Sequence, residues 1–441
     1  MRRPRRSLRS AGRGAAGAAR LRLGLLAFLS LGALPACTVA GPRPGAPEPP
    51  GGPGVEPGDV TGAEPSVRVG VVVNVESLRV DGTGGLELVD EGGRVRARSD
   101  AGESWTMRRS DGGVAANRSG ETVRVPGSLV VRPRSGEVMV DGSRYRGSVL
   151  IRPGESGVTA VNTLDLETYL LGVVPHEIGS GRPPEDLEAV KAQAVAARTY
   201  AIRNMGRRSD LGFDVYATVS DQVYGGADSE DAAATRAVRE THGQILTYQG
   251  EPIEAYYHST CGGQTAALHE VWDSEPRPYL RSVSDEKPGG GWYCESSNRF
   301  RWTEEWTGDE LVRLVEQGLE EHTGRQLDLN RIEEIGVDSR TTSGRVASLS
   351  IRTDAGTFDV PGDRVRWVLR PEQGRILNSA AIALHPSGND GVEHLAVEGA
   401  GWGHGIGMCQ VGAMGRSRAG QSYQEILQAY YPGTSLSQLY R

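Results

Sequence analysis

The stretch DLETYLLGVVPHEIGSGRPPEDLEAVKAQAVAARTYAIRNMG, residues 165–206, is where the reading of the fold begins. Its second half sets Leu187, Val190, Ala194, Ala197 and Ile202 at helical spacing, behind Pro184 at an early helical position. The middle is rich in Ala and therefore narrow, so a neighbour packs closely on it. The first half predicts a helix with Asp165 as N-cap, ending at Pro175. Glu177 follows that end, between the apolar run YLLGVV and IGSG. A carboxyl against apolar neighbours has its pKa raised towards neutral, which is what a general acid needs. The plainer alternative is a solvated surface Glu. Lys191 and Arg198 stand seven apart and share a helical face, where they can hold a carboxylate or an anionic substrate group. The alternative is an exposed helix edge.

Working outward, residues 66–160 are short β-branched runs such as VRVGVVVN, SLVVRP and VTAVNTL, separated by Gly, Asp or Pro. They predict a small β-rich domain without a catalytic cluster. Residues 161–441 mix helix and strand and are read as one domain. Within it, 303–323 reads as an acidic amphipathic helix, 330–383 as strands, and SYQEILQAYYPG as a helix stopped by Pro432 and Gly433. The fold class is therefore α+β, and no internal repeat is visible.

Two polar clusters sit beside glycines. SDQVYGG and YYHSTCGGQT supply Asp221, Gln222, Tyr224, His258, Ser259, Thr260 and Cys261. Glycines let a ligand approach the backbone. GWGHGIGMCQVGAMG, residues 401–415, has six glycines in fifteen positions, too many for a helix interior, and so reads as a loop. His404 lies between Gly403 and Gly405 with Gln410 close behind, which points to a cleft; a core histidine is the alternative. Cys261 and Cys294 can pair and leave Cys409 free, with zinc as the competitor. The spacing His258-x-x-Cys261 with one distant Cys is not a standard structural zinc pattern, so no metal is expected. No Ser-His-Asp order, phosphate loop or dinucleotide fingerprint is present.

The N-terminus MRRPRRSLRSAGRGAAGAARLR carries many Arg and no acid, and LGLLAFLSLGALPAC follows. Residues 1–37 read as a secretory signal, and Leu34-Pro35-Ala36-Cys37 resembles the lipobox of bacterial lipoproteins, with Cys37 lipidated. An ordinary signal peptide is the alternative. Residues 38–65, rich in Pro and Gly, read as an extended tether. The working part then stands off a membrane outside the cytoplasm. Thr38 is not the Asp that commonly marks inner-membrane retention, so in a diderm the outer membrane is expected. The net charge of −7 argues against a nucleic-acid partner.

Taken together and in order, LETYLLGVVPHEI, LEAVKAQAVAARTYAI, SDQVYGG, YYHSTCGGQT, SGRV and GWGHGIGMCQVGAMGRSRAGQSYQEILQAYYPGT resemble the SpoIID/LytB proteins of bacterial cell walls, over about residues 145–440. The resemblance implies a mixed fold with a glycine-rich substrate groove; some members of the family bind zinc through His and Cys near the motif matching 258–261 and others lack it, and no cofactor is expected here. It implies a lytic transglycosylase of peptidoglycan glycan strands with Glu177 as single acid/base, or else a glycan-binding enhancer of a wall amidase. Lys191, Arg198, Asp221, Gln222, Tyr224, His258, Ser259, Thr260, His404 and Gln410 then line the substrate. His176, Ile178 and Cys409 depart from the residues common at those positions, Ser, Met and Ser. A hydrolytic muramidase would need a second carboxylate, with Glu185, Asp186 and Asp221 as candidates.

Overall fold

A computed structural model describes residues 62–441. The predicted signal segment with Cys37, and the tether up to residue 61, lie outside the described residues. The fold is α+β, as expected.

Two antiparallel-rich sheets open the described chain. In the strand Ser66–Val75, Val67 and Val69 point inward while Ser66 stays exposed. This strand pairs antiparallel with Val158–Asp165 inside a seven-stranded sheet. A six-stranded sheet contains Trp105–Ser110, and Trp105 and Met107 enter the same core as Val67, Val131 and Ile151. The strand Val158–Asp165 runs directly into the first helix, so the sheet sets where that helix starts.

Helix α1 spans Leu166–Ile178 and helix α2 spans Leu187–Asn204, the latter behind a 3-10 turn at Pro184–Asp186. Asp165 occupies the N-cap position of α1 but its side chain makes no cap bond. Pro175 does not end α1 as expected; it lies inside. A helical Pro forfeits one hydrogen bond, and burial of Tyr169, Leu170, Val173, Val174 and Ile178 offsets that loss. Glu177 therefore sits in the last turn of the helix, which stops at Gly179 with φ 93°. The Ala stripe of α2 is fully buried, and α1, the helix Ala232–Glu240 and the helix Gln410–Arg418 all pack on it.

The glycine-rich stretch 401–415 divides in two. Its first half is a loop, with Gly401, Gly403, Gly405 and Gly407 at φ of 85°, 110°, 89° and 70°. Its second half is not loop: Gly412 and Gly415 lie inside the helix Gln410–Arg418. Close packing explains this exception to helix propensity. A Cβ on Gly412 would sit 2.2 Å from Tyr430 Oη, and one on Gly415 would sit 2.1 Å from the Tyr293 carbonyl oxygen. Between the halves, Met408–Cys409 pairs in parallel with Tyr257–His258.

A second hydrophobic core lies within residues 302–397, built from Trp302, Trp306, Leu311, Leu314, Ile351, Val360 and Val397 among others. The expected helix over 303–323 is a strand, Trp302–Thr307, followed by a helix, Gly308–Thr323. Buried residues four apart, Trp302 and Trp306, satisfy both the strand and the helix period. Antiparallel pairing with His394–Gly399 decides for strand. That pairing also brings the two ends of the segment together.

Candidate functional site

Helix α1 delivers Glu177 into the interior, where it is 4% exposed. Its Oε1 accepts the Val223 N–H at 3.2 Å, and Oε2 has no hydrogen-bond partner among the described residues. Burial raises its pKa to about 8, opposed by the Val223 N–H and the nearby Tyr257 hydroxyl. The carboxyl is thus protonated at neutral pH.

The neighbours of Glu177 are locked in place. Gln222 Nε2 donates to Tyr257 Oη at 2.9 Å and to the Ala197 carbonyl at 3.3 Å. Its Oε1 accepts from the Tyr169 hydroxyl at 3.2 Å. Gln222 is adjacent to Val223, so one short segment supplies both the N–H on Glu177 and the brace on Tyr257. Tyr257 and Tyr169 were not singled out from the sequence. Tyr257 directly precedes His258 in YYHSTCGGQT, and that adjacency was the available signal.

The remaining expected substrate residues are placed differently. Lys191 pairs with Glu188 and Glu240, each at 2.7 Å. Arg198 is fully buried and grips Glu167, with Nε and Nη2 at 2.8 and 2.7 Å from its two carboxylate oxygens. Both cations hold carboxylates of the protein itself, so neither is free for a substrate anion. Asp221 is also committed, accepting from Arg208 Nε and Nη2 at 2.9 Å each and from the Tyr216 N–H at 2.8 Å. Tyr224 is buried against Gly172, where a Cβ would meet its ring at 2.6 Å, and its hydroxyl donates to Asn162 at 2.8 Å. Asp221 and Tyr224 hold the SDQVYGG loop through these bonds.

His404 is 4% exposed, which corrects the expected cleft position. Its Nε2 donates to the Tyr257 carbonyl at 3.0 Å and its Nδ1 accepts the Ile406 N–H at 3.0 Å. Both nitrogens are used to brace the glycine loop against Tyr257, and burial holds the ring neutral. Glycines on either side removed local bulk, but Tyr256 and Trp272 supply the cover, with ring centroids 6.3 and 5.1 Å away. His258 is fully buried, and its Nδ1 donates to the Ile406 carbonyl at 3.1 Å. Burial and the Arg345 charge lower its pKa to about 3, and its Nε2 has no partner among the described residues. Thr260 bonds Ser297 at 2.8 Å and lies 3.4 Å from Ser259. Gln410 Nε2 donates to Gln193 at 3.4 Å.

Cys261, Cys294 and Cys409 are free thiols and all buried. Asp285, which the sequence did not single out, joins them. Arg345, from the stretch SGRV, reaches from the second core to the Gln264 and Cys261 carbonyls at 3.2 and 3.3 Å.

A family model described as stage II sporulation protein, SpoIID, matches residues 154–248, the segment that carries Glu177, Tyr169, Gln222 and Val223. Stage II sporulation protein D of Bacillus amyloliquefaciens is 30% identical over 295 residues, covering 63% of this chain and 76% of that protein. The chain belongs to the SpoIID family. An uncharacterized protein of Brachyspira hyodysenteriae is 31% identical over 73% of this chain and 81% of its own length. The amidase enhancer of Bacillus subtilis is 31% identical over 70% of this chain, which spans 47% of that longer relative. A second family model, a domain of unknown function, matches residues 287–407 and thus encloses the second core of this SpoIID-family chain. No helix among the described residues is long and apolar enough to cross a membrane.

Proposed function

We propose that the chain cleaves peptidoglycan glycan strands as a lytic transglycosylase, with Glu177 as its single acid/base. The observation that carries this reading is the buried, cation-free Glu177 carboxyl, whose pKa stands at about 8. Protonated Glu177 donates to the glycosidic oxygen as the C1–O4 bond breaks. The resulting carboxylate takes the proton from the C6 hydroxyl of the same sugar as O6 bonds to C1. The product is a 1,6-anhydro ring, the proton returns to Glu177, and no water is consumed. Hydrolysis would need a second carboxylate to activate water. Of the candidates, Asp221 is bound by Arg208, Asp186 is bound by Arg418 at 2.7 and 2.9 Å, and Glu185 is exposed. The proposed setting is outside the cytoplasm, on a lipid at Cys37 and the tether 38–65.

The second reading is a glycan-binding enhancer of a wall amidase. The relative named amidase enhancer favours it. Incubating the protein and Glu177→Gln with intact and amidase-treated peptidoglycan, followed by mass spectrometry of released sugars, separates the two. Anhydro-muramyl products that fall by ~10²–10⁴-fold in the variant, the range for loss of a general acid, support the transglycosylase. Reducing ends would indicate hydrolysis. Binding without products from either substrate leaves the enhancer.

A further inference from the structure

We infer that Trp292, Phe300 and Trp402 form a sugar-stacking platform, rimmed by Arg299 and Arg301, that holds a peptidoglycan strand outside the Glu177 site. The choice of ligand rests on the glycan reading above. Trp292 is 37% exposed and is the one exposed Trp, Tyr or Phe among the described residues. A lone exposed apolar side chain needs no explanation, but this one belongs to a group. The Phe300 ring lies 5.5 Å from it, and both rings have the Arg301 guanidinium over them, at 4.0 Å from Phe300 and 5.7 Å from Trp292. Arg299 stands 5.4 Å over the half-buried Trp402.

The mount beneath Trp292 is firm although its side chain is exposed. Its N–H donates to Glu295 Oε2 at 3.0 Å, and Glu295 also holds Lys287. Gly263 makes room for the indole, since a Cβ there would sit 2.7 Å from Trp292 Nε1. Arg301 Nη1 donates to the Gly262 carbonyl at 3.0 Å, so one glycine pair underlies Trp292 and Arg301 alike. A platform fixed in advance loses little freedom on binding. Its frame continues into the Glu177 site. Trp402 and Thr260 exchange backbone bonds of 2.7 and 3.0 Å, and the three residues from Thr260 back to Tyr257 span at most about 11 Å. The C–H faces of a pyranose ring are apolar and carry partial positive charge, which suits the negative face of an aromatic ring. The rim supplies what Lys191 and Arg198 do not. Neither Arg299 nor Arg301 is paired with a carboxylate among the described residues, so both are open to an acid on the strand. That acid is a lactyl carboxylate or one on a stem peptide. All five residues fall within 287–407, the segment matched by the domain of unknown function.

The test measures binding by the full chain carrying Glu177→Gln, so that no strand is cleaved. Three probes are used: chitohexaose, which has no carboxylate, amidase-treated glycan strands, and soluble strands with stem peptides attached. Trp292→Ala is expected to weaken all three roughly tenfold. Arg301→Met is expected to weaken only the strands that carry a carboxylate. Loss confined to amidase-treated strands assigns the lactyl group, and loss confined to the others assigns the stem peptide. An equal loss on chitohexaose overturns the anion-binding rim. If Trp292→Ala does not fold, oxidation of Trp292 by N-bromosuccinimide in the chain that keeps it still decides, because bound strand is expected to slow it. Unchanged affinity in Trp292→Ala, or a Trp292 that strand does not protect, in a chain that binds strands overturns the platform and leaves the glycan reading standing. A chain that binds none of the three probes, and whose native form releases no sugars, overturns both.

Discussion

The first and last turns of α1 each carry a glutamate, one half-buried and one buried, and the two have opposite fates. Glu167 is partly buried, which pushes its pKa up, but Arg198, the Tyr440 hydroxyl and the Gly243 N–H outweigh that and hold it below the usual carboxylate range. Glu177, ten residues on, has a backbone N–H and a tyrosine hydroxyl beside it but no cation, and burial prevails. One glutamate is a charged strut that joins α1 to Arg198 of α2 and to Tyr440 near the C-terminus. The other is an acid that keeps its proton. The same residue type on one helix becomes structure or chemistry according to whether a guanidinium reaches it.

Breaking the strut tests the first half of this comparison. Arg198→Met leaves Glu167 buried and unpaired and is expected to destabilise the fold by about 3–5 kcal/mol, read by urea unfolding. The double variant Arg198→Met/Glu167→Leu should recover much of that loss. A well-folded Arg198→Met with normal stability and weakened glycan binding would return Arg198 to the substrate site.

The second half is sharpened by pH. The folded chain keeps the Glu177 proton up to pH about 8, whereas the unfolded chain releases it near its ordinary value of 4.5. The folded state therefore binds more protons across that window, and stability falls as pH rises through it. Glu177→Gln removes this slope. It should be more stable than the native chain by a few kcal/mol at pH 8 and equal to it near pH 4, while losing activity. Parallel unfolding curves at both pH values would show that Glu177 is solvated. In the native chain, cleavage is expected to decline above pH about 8 as Glu177 loses its proton.

The smallest effect is expected at Lys191. Its side chain is 14% exposed and its ammonium is shared between Glu188 and Glu240. Lys191→Met should cost no more than about 1 kcal/mol and leave glycan affinity unchanged in a pull-down on wall material.

Much of the scaffold was legible because local rules govern it. Pro184, the acids after it and the Ala stripe announce α2, and the structure has that helix at Leu187–Asn204. The apolar run before Glu177 announces its burial. Legibility failed where a distant partner overrides a local rule. Pro175 ends a helix by local rules yet is carried inside one by the burial around it. Gly412 and Gly415 argue for loop yet serve a helix that touches Tyr430 and Tyr293. His404 has small neighbours in sequence and aromatic ones in space.

By itself, the sequence determined the family, the α+β class and the apolar neighbourhood of Glu177. These rest on the order of residues along a segment, and periodicity and motif spacing record that order directly. The tertiary structure decided which groups meet. Arg198 finds Glu167, thirty-one positions away. Cys261 and Cys409, separated by 148 positions, come within hydrogen-bond reach because parallel pairing of Tyr257–His258 with Met408–Cys409 aligns their loops. Whether a buried charge is paired depends on such long-range closure, because the pKa of a carboxyl is set by what surrounds it in space.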